Sequence, residues 1–240
     1  LDEQSLFYDQ LDDLISQGEV NSVIGSLSSR SEIRYGTNRS NPFCNDPLKY
    51  VLKTDLTEHC DFNSIFVKTI KNILDNKTIS NRNQGLLTNG FQTGGNLLLL
   101  KVDFMEEIKR ILDSEIEKYR LSFKDSEEGF IKHWPTEYNL HGWLISMKSG
   151  GELRPHMHEE GWISGSVYIN VPPKSKSDSG NLVVCIDDEK NVTGSNINPK
   201  KSIDVVTGSL CLFPASLLHY TIPFESEEER IVLAFDVKPK

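Results

Sequence analysis

GELRPHMHEEGWISGSVY, residues 151–168, sets two histidines one residue apart just ahead of a run of β-forming side chains. The run 162–171 is short, rich in Ile, Val, Trp and Tyr, and followed by a proline pair, which reads as a strand. Working outward, 139–147, 181–186, 202–206, 209–213 and 230–237 read the same way, with Gly, Pro, Asn and Ser between them. Closely spaced short strands with turn signals predict a sandwich or barrel.

Upstream of Pro135 the texture is helix and loop. Leu6, Leu11 and Leu14 fit a short amphipathic helix, and 36–47 reads as a loop. Phe62, Ile65, Phe66, Ile70, Ile73 and Leu74 recur at helical spacing behind Asp61 as a cap. Residues 76–95 are polar and Gly-rich and read as a long connection. Asp103 is expected to cap the longest helix, with Glu106 as its capping-box partner. Phe104, Ile108, Ile111, Leu112, Ile116 and Tyr119 form that helix's apolar stripe. The fold class is therefore α+β, with helices packed on one face of a β-sandwich.

Composition excludes several functions. The 240 residues hold 26 basic and 35 acidic side chains, a formal charge of −9, which argues against nucleic acid as a partner. No apolar run is long enough to span a bilayer, so no membrane is expected as a partner. No charged segment followed by an apolar one opens the given sequence, so no signal peptide is expected, and the start at Leu1 leads us to expect a processed or trimmed piece of something longer. Cys44, Cys60, Cys185 and Cys211 are scattered, which predicts reduced thiols and a cytoplasmic setting.

Chemistry concentrates in the histidines. His59, His133 and His141 read as solvated or structural. On an extended strand, His156, His158 and Glu160 would share one face; an exposed polar strand end would carry the same residues. His219, in Ala215-Ser216-Leu217-Leu218-His219, reads alone as a core histidine and gains weight from the earlier pair. Two ligands from one strand and a third from a distant strand would leave open positions on a non-heme iron(II). Arg230 opens the last strand, either as a surface partner of Glu227–Glu229 or as a carboxylate clamp inside a barrel. Tyr168 is either a core aromatic or a phenol offered to that carboxylate. Trp143 and Trp162 are candidate pocket walls or plain core.

Taken together, 151–168, GSLCLFPASLLH at 208–219 and RIVLAF at 230–235 resemble the iron(II)- and 2-oxoglutarate-dependent dioxygenases, in a bacterial and phage branch often linked to tetratricopeptide repeats. Gln92-Thr93-Gly94-Gly95-Asn96 is a weaker echo. The resemblance covers roughly 85–240 and implies a double-stranded β-helix, a cupin-like jelly-roll; residues 1–84 read as a helical segment that is the junction to a missing upstream domain, a dimer surface or a lid support. It implies Fe(II) and 2-oxoglutarate as cofactors and dioxygen as co-substrate. His156 and His219 take the places of iron ligands, Arg230 that of the residue holding the far carboxylate of 2-oxoglutarate, and Tyr168 that of its hydrogen-bonding neighbour. Two registers fit the remaining ligand: His156, His158 and His219, which the branch pattern favours, or His158, Glu160 and His219, which iron's charge favours.

The leading expectation is a hydroxylase acting on a protein or peptide side chain or a small amino-acid-like molecule. A cupin-like three-histidine enzyme without 2-oxoglutarate and a non-catalytic jelly-roll binding module remain as alternatives, and a homodimer is left open.

Overall fold

The computed structural model describes residues 2–75, 79–188 and 198–240. Among the described residues the α-helices are α1 (Glu3–Ser16), α2 (Ser22–Tyr35), α3 (Lys68–Asp75), α4 (Met105–Ser122) and α5 (Gly129–Lys132). Ten strands are β1 (Leu52–Asp55), β2 (Asn81–Arg82), β3 (Leu87–Thr93), β4 (Tyr138–His156), β5 (Ile163–Asn170), β6 (Leu182–Cys185), β7 (Lys200–Ile203), β8 (Ser209–Pro214), β9 (Leu218–Thr221) and β10 (Arg230–Pro239). They form one antiparallel sheet in the order β1-β8-β5-β10-β4-β9-β6-β7, with β3 also on β4 and β2 on β3. The sheet curls into a nearly closed barrel, a double-stranded β-helix with helices packed outside it.

Strand β4 links the two halves of the barrel. Its first part pairs with β10 from Tyr138 to Met147, and its end pairs with β9 through Leu153↔Thr221 and His156↔His219. The strand changes partner around Gly150, whose φ of 72° is cheap only for glycine. At Gly151 an added Cβ would lie 2.6 Å from Met147 Cβ, so the bend also needs a bare backbone there.

Alternation along the central strands divides two cores. On β10, Ile231, Leu233, Phe235 and Val237 face the helices, and Arg230, Val232, Ala234 and Asp236 take the alternate, inward positions. On β5, Ile163, Val167 and Ile169 face outward and Tyr168 inward. The outer core holds the stripe Met105, Ile108, Leu112, Ile116 and Tyr119 of α4 against these strands. Each such side chain contributes about 1.5–3 kcal/mol by burial, so a charge at Leu112 would detach the helix. Gly142 and Gly165 flank Phe235 in register, and the space beside Gly165 is filled by the Phe235 ring.

Several local expectations change. The 76–95 connection contains β2 and β3, because pairing with β4 supplies hydrogen bonds that local sequence does not advertise; residues 76–78 lie outside the described residues. Asp103 does not cap α4. Phe104 takes the N-cap position with φ 61°, so the cap lies one residue beyond Asp103 and the helix starts at Met105. Asp61 does cap, accepting from Ser64 N at 3.1 Å. In α1 the buried residues are Tyr8 and Leu11, while Leu6 and Leu14 are exposed, since α1 touches only α2 and a short turn of chain. No helix among the described residues is long and apolar enough to cross a membrane.

Candidate active site

Antiparallel register brings the site together. His156 closes β4 directly opposite His219 on β9, so residues 63 positions apart in the chain become cross-strand neighbours, with ring centroids 4.3 Å apart. β4 ends at His156, and Gly161 N donates to His158 O at 3.1 Å in a turn. This turn carries His158 back over the other two rings. One nitrogen from each of His156, His158 and His219 lies within 4.8 Å of the others. The same turn ends the strand alternation before Glu160, whose exposed carboxylate instead accepts from Lys238 Nζ at 2.6 Å. That bond holds the Glu160 carboxyl below its ordinary range. Helix α2 supports the loop from outside, with Ser22 Oγ donating to Glu159 O at 2.9 Å.

The donor set suits a metal ion. Burial, reinforced by the neighbouring imidazole of His158, pushes His156 down to about 4. Burial likewise takes His219 well below its ordinary value. Both rings are therefore neutral near pH 7, with a lone pair free for ligation. His156 Nδ1 lies 2.9 Å from Arg154 O, which can only accept, so the hydrogen sits on Nδ1 and the lone pair on Nε2. His156 Nε2 and His158 Nε2 are 3.3 Å apart. Two imidazoles bonded at about 2.1 Å to one ion, at a right angle, would place their nitrogens ~3.0 Å apart, close to what is found. His219 Nδ1 is enclosed and has no hydrogen-bond partner in the protein, an unmet need among buried polar atoms.

Sequence reasoning missed Asp236. Its Oδ1 lies 2.7 Å from His158 Nδ1 and accepts from Ser164 Oγ at 2.9 Å, and the residue is buried. The available signal was an acid within the apolar run RIVLAFDV, on the same alternate face as Arg230.

Arg230 sits deeper in the barrel and is buried. Its Nε donates to Gly180 O at 3.2 Å, and its guanidinium carbon lies 5.0 Å from the Tyr168 ring centroid. Among the described residues no carboxylate pairs with it, and Glu227–Glu229 do not reach it. Burial lowers its proton affinity and raises that of the Tyr168 phenol. Arg230, Tyr168 and the three histidines line one narrow cavity of ≈ 30 Å³ with Trp143, Leu182 and Val232 among its walls. An open trough of ≈ 530 Å³ shares Trp143, Ile145, His156 and His158 with it and adds Arg82, Gln92, His141 and Lys238. Asn96 and Thr93 fix the trough's edge by accepting from Gly142 N and Leu144 N, each at 2.9 Å. Trp143 meets His158 edge-on at 5.1 Å. Trp162 is core instead: it packs on Phe43 and donates from Nε1 to Phe130 O at 2.8 Å. His59 and His133 are exposed and distant from this chemistry, and His141 is half-buried at the trough.

Residues 141–236 match the profile of the family described as "Putative 2OG-Fe(II) oxygenase". A prolyl-4-hydroxylase of Pseudomonas putida superposes with a TM-score of 0.56 at 12% identity, over 82% of this chain and 96% of the other. A prolyl hydroxylase of Trichoplax adhaerens, solved with a hypoxia-inducible-factor peptide fragment, gives 0.57 at 14%, over 88% and 92%. The α-ketoglutarate-dependent epimerase SnoN of nogalamycin biosynthesis gives 0.55 at 11%, over 79% and 77%. At these identities the likeness is one of fold. No curated protein matches the chain in sequence. Residues 141–236 thus carry a sequence signature of the 2OG-Fe(II) oxygenases, and the chain shares the fold of solved members.

Proposed function

We propose that this protein is an iron(II)- and 2-oxoglutarate-dependent hydroxylase acting on a protein or peptide side chain or a small amino-acid-like molecule. The observation that carries the reading is Arg230, a buried guanidinium without a carboxylate partner among the described residues, in a cavity that also contains three clustered imidazoles. A lone buried charge is costly, and a dicarboxylate that also chelates a metal would offset it.

In this reading His156, His158 and His219 would hold iron(II), and Arg230 would pair with the far carboxylate of 2-oxoglutarate while Tyr168 offers its phenol. Bound iron supplies the activation of dioxygen; the chain supplies position and exclusion of water. Trp143, Leu182 and Val232 wall the co-substrate off from solvent. The cavity is smaller than a five-carbon dicarboxylate, so those walls part when it enters. The trough beside Trp143 and His141 would receive the substrate, and its openness fits a side chain presented from a larger body. Glu160 is no ligand in this reading, since Lys238 holds it at the rim.

The test is anaerobic. Fe(II) and then 2-oxoglutarate are added to metal-free protein and the visible spectrum is recorded. A weak charge-transfer band that disappears in His219→Ala supports the proposal. Iron binding without the band favours a metal enzyme that does not use 2-oxoglutarate, and no metal binding favours a binding module.

A further inference from the structure

A site built from three imidazoles brings no negative charge to an ion, and the buried carboxylate that touches it is Asp236. It reaches the cluster through His158, with Oδ1 2.7 Å from Nδ1. Held to that carboxylate oxygen through Nδ1, the ring presents its other nitrogen, Nε2, to the cluster. That Nε2 is the atom 3.3 Å from His156 Nε2. The Ser164 hydroxyl donates to the same Asp236 oxygen at 2.9 Å and lies 3.2 Å from His158 Nδ1, so it steadies the pair from beside it. Three constraints thus fall on a ring that lies in a loop: Asp236 behind it, Trp143 edge-on at 5.1 Å, and the turn through Gly161. His156 and His219 sit on paired strands, so the register orients them; His158 has no such support.

We infer that Asp236 is a positioning residue of the metal centre: through Nδ1 it locks His158 with Nε2 toward the ion and sets the compensating negative charge one residue behind the ligand cluster. The inference rests on the proposed three-histidine centre. Carboxylates that orient ligating imidazoles in this way raise ligand basicity, and their loss typically weakens metal binding ~10–100-fold.

The experiment measures Mn(II) affinity of metal-free protein by titration, and the visible spectrum of the Co(II)-loaded protein, for the parent, Asp236→Ala and Asp236→Asn. Asp236→Ala is expected to bind Mn(II) ~10–100-fold more weakly. Asp236→Asn can still accept from Nδ1–H but carries no charge, so it should fall between the two with a shifted Co(II) spectrum. If Asp236→Ala does not fold, Asp236→Asn alone decides. A purely structural carboxylate would lower the melting temperature of the metal-free variants yet leave Mn(II) affinity and the Co(II) spectrum at parent values, and that result overturns the inference. Failure of the parent to bind Mn(II) or Co(II) would instead remove the three-histidine centre itself.

Discussion

Replacing Arg230 with Met separates a co-substrate clamp from a structural arginine. The side chain is buried; its Nε donates to Gly180 O at 3.2 Å, and its guanidinium lies against Tyr168, 5.0 Å from the ring centroid and bonded to the phenol. A hydrogen bond from a charged donor is worth about 1.5–3 kcal/mol and a desolvated ring contact about 2. Against these stands the effective penalty of several kcal/mol for burying a charge without a counter-ion. The terms nearly cancel, so metal-free Arg230→Met should stay folded, within about 2 kcal/mol of the parent. Binding of 2-oxoglutarate should change far more. Losing one partner of a buried charge pair costs about 2–5 kcal/mol, which at 1.4 kcal/mol per decade is a ~30- to ~4,000-fold weaker Kd. The assay is anaerobic titration of the metal-loaded protein with 2-oxoglutarate and with 2-oxobutyrate, which lacks the far carboxylate. The parent should prefer 2-oxoglutarate by that factor, and the preference should vanish in Arg230→Met. A folded variant that binds 2-oxoglutarate within threefold of the parent, or a parent that does not distinguish the two keto acids, would refute the reasoning.

Glu160→Gln should bind Mn(II) as the parent does, whereas His158→Ala should lose at least tenfold; the reverse pattern in metal titrations would restore the carboxylate as a ligand. Gly165→Ala would set a methyl against the Phe235 ring, and overpacking of this kind costs about 1–3 kcal/mol, seen as a melting temperature lower by roughly 2–12 °C. Metal-free protein should lose stability as pH falls from about 6.5 toward about 4 in urea titrations, because His156 is lowered to about 4 and His219 is lowered as well, so the unfolded chain binds more protons there. His156→Gln should flatten that slope.

What the sequence determined by itself is the part set by short-range periodicity. Six strands were legible from alternation and turn residues, and the stripes of α3 and α4 from helical spacing. The inward positions of Tyr168 and Arg230 fit the same period of two, but the sequence left Arg230 equally open to Glu227–Glu229 at the surface, and strand pairing decided between them. The conjunction of His156, His158, His219 and Arg230 was visible only as a pattern in order along the chain. What only the tertiary structure decided is how these residues meet. Strand β3 was hidden in polar sequence, since its pairing comes from β4 and not from its own side chains. The grouping of His158 with His156, and the departure of Glu160 to Lys238, depend on where β4 stops, which is set by pairing with β9 and by the turn through Gly161. Asp236 gained its meaning from a contact across 78 residues of sequence, which no local window contains. Periodicity fixes which face a side chain takes; long-range register fixes its neighbours, and the chemistry of this site lies in the neighbours.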